Sequence, residues 1–173
     1  MNIEVKSDTF PIKRNFADAL IAWGATLVGG GWMSERGGSL SHRYALGFVI
    51  TRKGADLAHL ADADLICVER WDFDAEQVIV RGKGEPSPHA FIHALVCQER
   101  ATAIFTFVAD APKAVERAGK EGWPSTKQSA HASARAMADD VTTILGKGNR
   151  VLIRGTGLLT FGCTADDAAA AMG

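Results

Sequence analysis

The chain has 173 residues, of which 47% are hydrophobic and 23% are charged, and this composition predicts one globular domain over residues 1–173 with a sizeable core. Nineteen Lys and Arg residues against 20 Asp and Glu residues leave a net charge of −1. That balance argues against a surface for nucleic acid or for an anionic membrane. No apolar run reaches the roughly 18 residues that a membrane-spanning helix needs, so no membrane partner is expected.

The three cysteines, Cys67, Cys97 and Cys163, are far apart in the sequence and each lies in an apolar run. This spacing predicts reduced core residues of an intracellular protein rather than a set of disulfides. The first ten residues lack the basic start and apolar stretch of a secretory signal. We therefore expect the protein to be cytoplasmic.

The first half of the chain predicts a helix followed by strands. Apolar residues at intervals of three and four mark one helix face, namely Phe16, Leu20, Trp23 and Leu27. Three glycines at 29–31 end this helix. Short apolar runs then predict four strands, at residues 37–40, 44–51, 64–69 and 77–81. A polar turn is expected between the first two strands, and a loop beginning at Gly54 precedes the third.

Residues 85–107 combine a helix start, two histidines four positions apart and an apolar strand. Ser87 and Pro88 are typical of a helix beginning, because a serine oxygen accepts from a first-turn amide and proline fits the first helical position. Apolar residues at helical spacing continue the helix, namely Phe91, Ile92, Leu95 and Val96. A buried strand is predicted at 103–107.

The last third predicts a short helix at 112–118, a longer amphipathic helix, two strands at 151–153 and 158–161, and a final helix. The longer helix is marked by Ala130, Ala134, Met137, Val141, Ile144 and Leu145. Thr164, followed three residues later by Asp167, is typical of a capping pair that opens the final helix. Hairpins mixed with helical returns predict an α/β fold of three layers, with a central, mainly antiparallel sheet flanked by helices.

Five segments resemble motifs of the class II aldolase/adducin family, in the same order and over most of the chain. They are GGSLSHR at 37–43, FVITRKG at 48–54, DADLICV at 62–68, EPSPHAFIH at 85–93 and RVLIRGTGLLTFG at 150–162. The last segment is the closest, since it resembles the family's strand pair around a G-L-L motif. The resemblance implies the fold predicted above and a site near the 85–93 segment.

The resemblance also implies a divalent metal, usually zinc, held by three histidines, but here the corresponding positions are Phe105, Phe107 and Thr156. Phenylalanine offers no lone pair, and a threonine hydroxyl is a poor zinc ligand compared with imidazole. Metal-assisted aldol cleavage needs a Lewis acid at the developing enediolate. We therefore expect no zinc site, no cofactor and no zinc-dependent aldol cleavage. Phe105 and Phe107 share one strand face and are either an apolar floor for a ligand or core filling.

His89 is the candidate catalytic residue, because it stands where the family has its acid/base glutamate and because histidine titrates near neutrality. His93 lies four residues later on the same predicted helix face. The pair allows three interpretations: an acid/base at a pocket mouth, a two-histidine metal site without a third ligand nearby, or a helix cap beside a packed histidine.

A candidate anion pocket is formed by small hydroxyls, glycine amides and the helix start, with charge supplied by Arg43, Arg52 or Lys53. Its predicted ligand-binding residues are Ser39, Ser41, Thr51, Ser87 and His93. Ordinary turn and cap chemistry is the alternative explanation for the same hydroxyls. The expected partner is a small anionic molecule.

Two functional hypotheses remain open. The first is a non-catalytic or regulatory protein that kept the fold, binds a small ligand and forms a homo-oligomer, as adducin serves a structural role in the family. The second is a metal-independent lyase or isomerase that acts on a small carbonyl or carboxylate compound, phosphorylated or not, with His89 as acid/base. An open pocket shared by His89, Ser87 and Ser39 would favour the enzyme, whereas a pocket filled by the two phenylalanines would argue against it. An unrelated metal-dependent aldolase would require stoichiometric zinc.

Overall fold

Eight strands form one sheet in the computed structural model, which describes residues 1–127, 132–146 and 148–173. In chain order they are β1 (Asn2–Ser7), β2 (Ser39–Tyr44), β3 (Gly47–Thr51), β4 (Leu65–Asp72), β5 (Gln77–Arg81), β6 (Phe105–Ala109), β7 (Arg150–Ile153) and β8 (Gly157–Gly162). Their order across the sheet is β1-β5-β4-β3-β2-β6-β8-β7. The β1–β5 pair is parallel and the other neighbouring pairs are antiparallel. The predicted mainly antiparallel sheet is confirmed.

Five helices cover the two faces of the sheet in the described part of the chain. They are α1 (Arg14–Gly29), α2 (Ala90–Glu99), α3 (Pro112–Lys120), α4 (Ala134–Leu145) and α5 (Ala165–Ala170), and two 3-10 turns lie at Leu57–His59 and Asp62–Asp64. One apolar cluster joins α2 and α4 to the sheet through residues such as Ile50, Val68, Ile92, Val108 and Val141. A second cluster joins α1, α3 and α5 to the opposite face through residues such as Leu20, Leu40, Val49, Phe107 and Ala168. We call these the α2 face and the α1 face, and together with the sheet they form the predicted three layers.

The main differences from the predicted elements are one strand that was not predicted and several elements that begin or end at other residues. Strand β1 was not predicted, and β2 continues through Ser41 and His42, where a polar turn was expected. The turn lies at residues 45–46 instead. Strand β6 lies two residues later than predicted, and α2 begins at Ala90 rather than at Pro88. Ala130, the predicted start of the long helix, lies outside the described residues.

Other predictions from local sequence are confirmed at the start of α5 but not at Cys163. Thr164 and Asp167 form the predicted capping box at the start of α5, in which each side chain accepts from the other residue's amide. All three cysteines are free thiols, but only Cys67 is fully buried. Cys163 is exposed, so the prediction that it belongs to the core is wrong. In the described residues, we find no helix with the length and apolar character to cross a bilayer.

Arg43 of β2 fixes the C-terminal end of α2 against the sheet. Its Nη2 donates to the carbonyl oxygens of Cys97 and Arg100, each at 2.7 Å, and its Nε donates to the carbonyl of Ala103 at 2.9 Å. A guanidinium placed at a helix C-terminus satisfies carbonyls that have no partner within the helix and opposes the negative end of the helix dipole. This clamp sets the position of α2 across β2, and with it the positions of His89 and His93.

Candidate functional site

A chain of four hydrogen-bonding side chains connects β2 to the beginning of α2. The hydroxyl of Ser39 lies 3.0 Å from Nδ1 of His89 and 2.8 Å from Nε2 of His93. The hydroxyl of Ser41 lies 2.7 Å from Nδ1 of His93. The two serines are two residues apart on β2, so their side chains lie on the same face of the sheet. The two histidines are four residues apart at the beginning of α2, so their side chains lie on the same side of the helix. The sequence places these four residues together through ordinary strand and helix periodicity.

The N-terminal end of α2 is held by β3 and by Ser87. The amide of Ser87 donates to the carbonyl of Thr51 at 3.0 Å, and the Ser87 hydroxyl accepts from the His89 amide at 3.2 Å. The predicted cap of a first-turn amide by Ser87 is wrong, because the Ser87 hydroxyl accepts from His89, the N-cap residue before α2, and His89 makes no side-chain capping bond itself. These bonds orient the backbone at His89, so that its imidazole lies between Ser39 and an open cleft.

The cleft next to His89 has a volume of about 500 Å³ and lies at the carboxyl ends of β6 and β7. Several separate segments of the chain line it, and the residues that they contribute include Gly37, Glu76, His89, Asp110 and Thr156. His89 uses Nδ1 for Ser39, and its Nε2 has no hydrogen-bond partner among the residues that the structure describes. That nitrogen is therefore available to a bound molecule.

A second, smaller pocket of about 260 Å³ adjoins the cleft and shares Gly37, Pro88 and His89 with it. Its basic residues are Arg36, Arg52 and Lys53, and it also contains Ser87. Arg52 is paired with Asp64 at 2.7 Å and Lys53 with Glu85 at 2.9 Å. Arg36 has no acidic side chain within ion-pair distance in the described chain and contacts the carbonyl of Gly54 at 3.4 Å. The pocket therefore carries positive charge that suits an anion.

Asp110 was not predicted as a site residue, yet it lies in the cleft beside His89. Its carboxylate accepts hydrogen bonds from the amide and the hydroxyl of Ser34, a residue in the loop after α1. The available signal was an acidic residue directly after the apolar strand β6, because polar side chains at strand ends often face a cleft. Asp110 therefore adds a carboxylate to the cleft, which adjoins the basic pocket.

Burial sets the protonation of both histidines. Burial lowers the pKa of His89, and the negative charge of Asp110 opposes this effect. His93 is 1% exposed, and burial followed by repulsion from His89 holds its pKa well below 6.5. Both imidazoles are therefore neutral at neutral pH, when each has one donor and one acceptor nitrogen.

The structure divides the predicted site residues into two groups. His89 and Ser87 line the cavities, as predicted. Ser39, Ser41 and His93 are buried behind His89, line neither large cavity, and hydrogen-bond one another and His89. Thr51 was also predicted to bind a ligand, but it is completely buried, and its hydroxyl accepts from the Leu40 amide at 3.3 Å. Arg43, a candidate for supplying charge, is committed to the end of α2.

Phe105 and Phe107 lie on the α1 face, the opposite side of the sheet from His89. Phe107 is fully buried with its ring 6.0 Å from that of Trp23, and Phe105 packs beside His42 at 4.6 Å. The two rings share a face, as predicted, and of the two interpretations the structure agrees with core filling and not with a floor at the site. The residues of β6 on the α2 face are Thr106, opposite Ser41, and Val108, opposite Ser39. The cleft at His89 is therefore not filled by phenylalanine.

The residues around this cleft do not fit a zinc ion. On the α2 face, β6 presents Thr106 and Val108, and the turn before β8 presents Thr156 to the cleft. None of the three has an imidazole, thiolate or carboxylate. Within the described ranges, no group of three His, Cys, Asp or Glu side chains is arranged to hold a metal ion. His89 and His93 direct one nitrogen each to the same serine hydroxyl.

The three-layer arrangement is that of a class II aldolase domain. The family model described as the class II aldolase and adducin N-terminal domain matches residues 18–173. The chain therefore belongs to this family, as the five sequence motifs predicted. A comparison with curated protein sequences finds no match to the chain.

Solved structures share the fold at low sequence identity. An L-fuculose-1-phosphate aldolase of Thermus thermophilus has a TM-score of 0.72 and 21% identity, over 92% of this chain and 88% of that one. A sugar-phosphate aldolase of Thermotoga maritima has a TM-score of 0.72 and 12% identity, over 92% and 89%. The N-terminal class II aldolase domain of a conserved protein of Thermoplasma acidophilum has a TM-score of 0.66 and 16% identity, over 94% and 91%. At these identities the likeness extends to the fold alone.

Proposed function

We propose that this protein binds a small anionic carbonyl or carboxylate compound across the two adjoining pockets. The anionic group lies toward Arg36, Arg52 and Ser87, and the carbonyl or carboxylate lies toward Nε2 of His89. The support is the arrangement itself, since a basic pocket opens into a larger cleft and His89 lines both. The sugar-phosphate aldolases that share the fold make a phosphorylated hydroxy-carbonyl compound the first ligand to test.

The best-supported activity is a lyase or isomerase reaction that does not use the family's three-histidine zinc site, with His89 as acid/base. The observation that carries this proposal is the His89 imidazole, which is tied to Ser39 through Nδ1 and leaves Nε2 toward the open cleft. General acid/base catalysis needs a neutral, oriented group within reach of the substrate. Asp110, in the same cleft, supplies a negative charge that raises the pKa of His89.

The second candidate is a non-catalytic or regulatory protein that binds the same class of ligand without converting it. Thr156 in the cleft, and Thr106 and Val108 on the α2 face of β6, favour this alternative, because they offer nothing that replaces a Lewis acid at a developing enediolate. We also propose a cytoplasmic homo-oligomer, in keeping with the family resemblance. Light scattering after size-exclusion chromatography measures the subunit number directly.

Calorimetric titration tests the binding proposal. Inorganic phosphate and L-fuculose 1-phosphate are the probes, and Arg36→Gln is the variant. Loss of one charged hydrogen bond should weaken phosphate binding by about 10-fold or more. Arg14→Gln is the matched control, because Arg14 is 86% exposed and lies on α1. Equal affinity in the wild type and Arg36→Gln would contradict the proposed anion pocket.

Turnover of L-fuculose 1-phosphate, followed by release of an aldehyde, separates the two candidates. An enzyme of the proposed kind keeps its rate after dialysis against a chelator and loses about 10²-fold or more with His89→Gln. Binding without turnover of any phosphorylated hydroxy-carbonyl probe would favour the non-catalytic candidate. A rate that disappears with the chelator and returns with zinc would contradict both.

A further inference from the structure

The Ser41–His93–Ser39–His89 chain limits where hydrogens can lie. Ser39 has one hydroxyl hydrogen and contacts an imidazole nitrogen on each side, at 3.0 Å and 2.8 Å. It therefore donates to one of these nitrogens and accepts from the other. When both rings are neutral, one of the two facing nitrogens carries a hydrogen and the other does not.

This condition couples the two rings and leaves two arrangements. In the first, His89 carries its hydrogen on Nδ1 and donates to Ser39, which donates to His93, and His93 then donates from Nδ1 to Ser41. In the second, every bond runs the other way, so that Ser41 donates to His93, His93 donates from Nε2 to Ser39, and Ser39 donates to Nδ1 of His89. The two histidines thus hold the same tautomer in either arrangement.

Ser41 decides between the two arrangements. It is 3% exposed, and its hydroxyl has no partner other than His93 among the residues described by the structure. In the first arrangement its hydroxyl accepts from His93, and its own hydrogen is buried without an acceptor. In the second it donates to His93 and only an acceptor lone pair stays unused. Buried donors without partners are rarer and more costly than acceptors with spare lone pairs.

We infer that His89 rests with its hydrogen on Nε2 and presents a hydrogen-bond donor to the cleft, and that Ser39, His93 and Ser41 are the positioning residues that fix this tautomer. The inference deepens the proposed function, and rests on it for the identity of the bound molecule. The molecule must place a carbonyl, carboxylate or phosphate oxygen against Nε2. In a reaction, the neutral Nε2–H of His89 polarises a carbonyl as a hydrogen-bond donor, and the hydrogen stays on the imidazole.

The same chain resists protonation of His89. An imidazolium must donate from both nitrogens, so Nδ1 would have to donate to Ser39 and every hydrogen bond back to Ser41 would have to reverse. The charged groups facing His89 are Asp110 from the end of β6, Glu76 from the β4–β5 turn, and Arg36, Arg52 and Lys53 from the basic pocket. All five stay in place when Ser39 or His93 is changed, so their effects cancel in a comparison of variants.

Nuclear magnetic resonance of protein with ¹⁵N-labelled histidine tests the inference without ligand or turnover. Long-range ¹⁵N–¹H correlations report which imidazole nitrogen carries the hydrogen, and a His89→Gln sample assigns the signals. In the wild type at neutral pH, we expect both His89 and His93 to show the Nε2–H tautomer. Finding the Nδ1–H tautomer at His89 would overturn the inference, and this measurement depends on no variant that might fail to fold.

The second measurement is the pKa of His89 in variants. His93→Gln removes the requirement that the chain reverse, because Ser39 is then able to donate to the glutamine oxygen while it accepts from Nδ1 of His89. The pKa of His89 should therefore rise in this variant, although burial still lowers it. Thr106→Val is the matched control, because Thr106 lies beside Ser41 and His93 but is not part of the chain. An unchanged pKa of His89 in His93→Gln would overturn the inference. Failure of phosphate binding in the calorimetric test would contradict the proposed function and leave these results standing.

Discussion

The carboxylate of Asp110 occupies the space that a β-carbon on Gly37 would need. Gly37 precedes β2 and Asp110 follows β6, two strands that are neighbours in the sheet. Ser34 completes the contact by donating its amide and its hydroxyl to the same carboxylate. Gly37 is therefore required here for space, and its absent side chain allows Asp110 to lie beside His89 in the cleft.

Gly37→Ala is expected to destabilise the protein by about 1–3 kcal/mol, because the new methyl group overlaps Asp110 and Ser34 and forces them to move. Urea denaturation measures the change in the free energy of unfolding. Gly119→Ala in α3 is the control, since a β-carbon there meets nothing within 4 Å, and it should stabilise the helix by roughly 0.5–1 kcal/mol. Equal stabilities for the two variants would show that Asp110 has room to move.

Asp110→Asn should lower the pKa of His89 further. Burial already lowers this pKa, and the negative charge of Asp110 is the opposing effect that raises it. Removal of the charge leaves burial unopposed. A pH titration of the His89 ring signals measures the shift, with Asp166→Asn on exposed α5 as the control. A pKa that rises in Asp110→Asn would mean that the carboxylate does not act on His89 through its charge.

Stability should decrease as the pH falls below 6.5. The unfolded chain has histidines with an ordinary pKa near 6.5, whereas the folded protein holds the pKa of His93 well below that value and lowers the pKa of His89. The unfolded state therefore binds more protons in acid, and the free energy of unfolding decreases by up to about 1.4 kcal/mol per pH unit for each such histidine. Above pH 6.5 this contribution is fully present.

His93→Gln tests the assignment of this pH dependence. Glutamine keeps a polar group toward Ser39 but does not titrate. The slope of the unfolding free energy against pH, between pH 6.5 and about 5, should therefore lose the contribution of one histidine. His59→Gln is the control, because the His59 side chain is 82% exposed. Unfolding free energies from urea denaturation at several pH values give both slopes. Parallel curves for the wild type and His93→Gln would exclude His93 as a source of the slope.

Local periodicity predicted most of the fold, and it failed where a residue's environment comes from distant parts of the chain. Strand β1 pairs only with β5 at the sheet edge, and its Val5 is 47% exposed, so it has little apolar signal. Ser41 and His42 have the polar character of a turn, yet they are buried in β2. Ser41 finds its partner in His93, which is 52 residues away, and no local pattern reports such a contact.

The candidate site was predicted in position but not in detail. The resemblance identified His89 and Ser87 because both lie in one contiguous motif. The alternation of side chains along a strand shows that Phe105 and Phe107 lie on the same side of the sheet. It does not show which helices cover that side. The position of Asp110 in the cleft depends on its contacts with Gly37 and Ser34. The burial of Thr51 depends on the pairing of β2 with β3. These are tertiary contacts between residues that lie about 10 to 75 positions apart in the chain.

Arg43 provides the last test, because it connects the fold to the site. Arg43→Ala leaves the carbonyl oxygens at the end of α2 without their charged donor, and we expect a loss of about 3 kcal/mol in the free energy of unfolding. Arg43→Lys keeps the charge but not the planar fork, so it should recover only part of the loss. Arg14→Ala, at an exposed i,i+4 pair with Asp18, should change stability by less than about 0.5 kcal/mol.

The effect of Arg43 should also reach the cleft. If α2 shifts along β2, the distances from Ser39 to His89 and His93 change, and the ring signals of both histidines should move in the spectrum of Arg43→Lys. Arg14→Ala should leave those signals in place. A large loss of stability with unchanged histidine signals would mean that the N-terminal end of α2 is held by Ser87 and Thr51 alone, independently of the clamp at its C-terminal end.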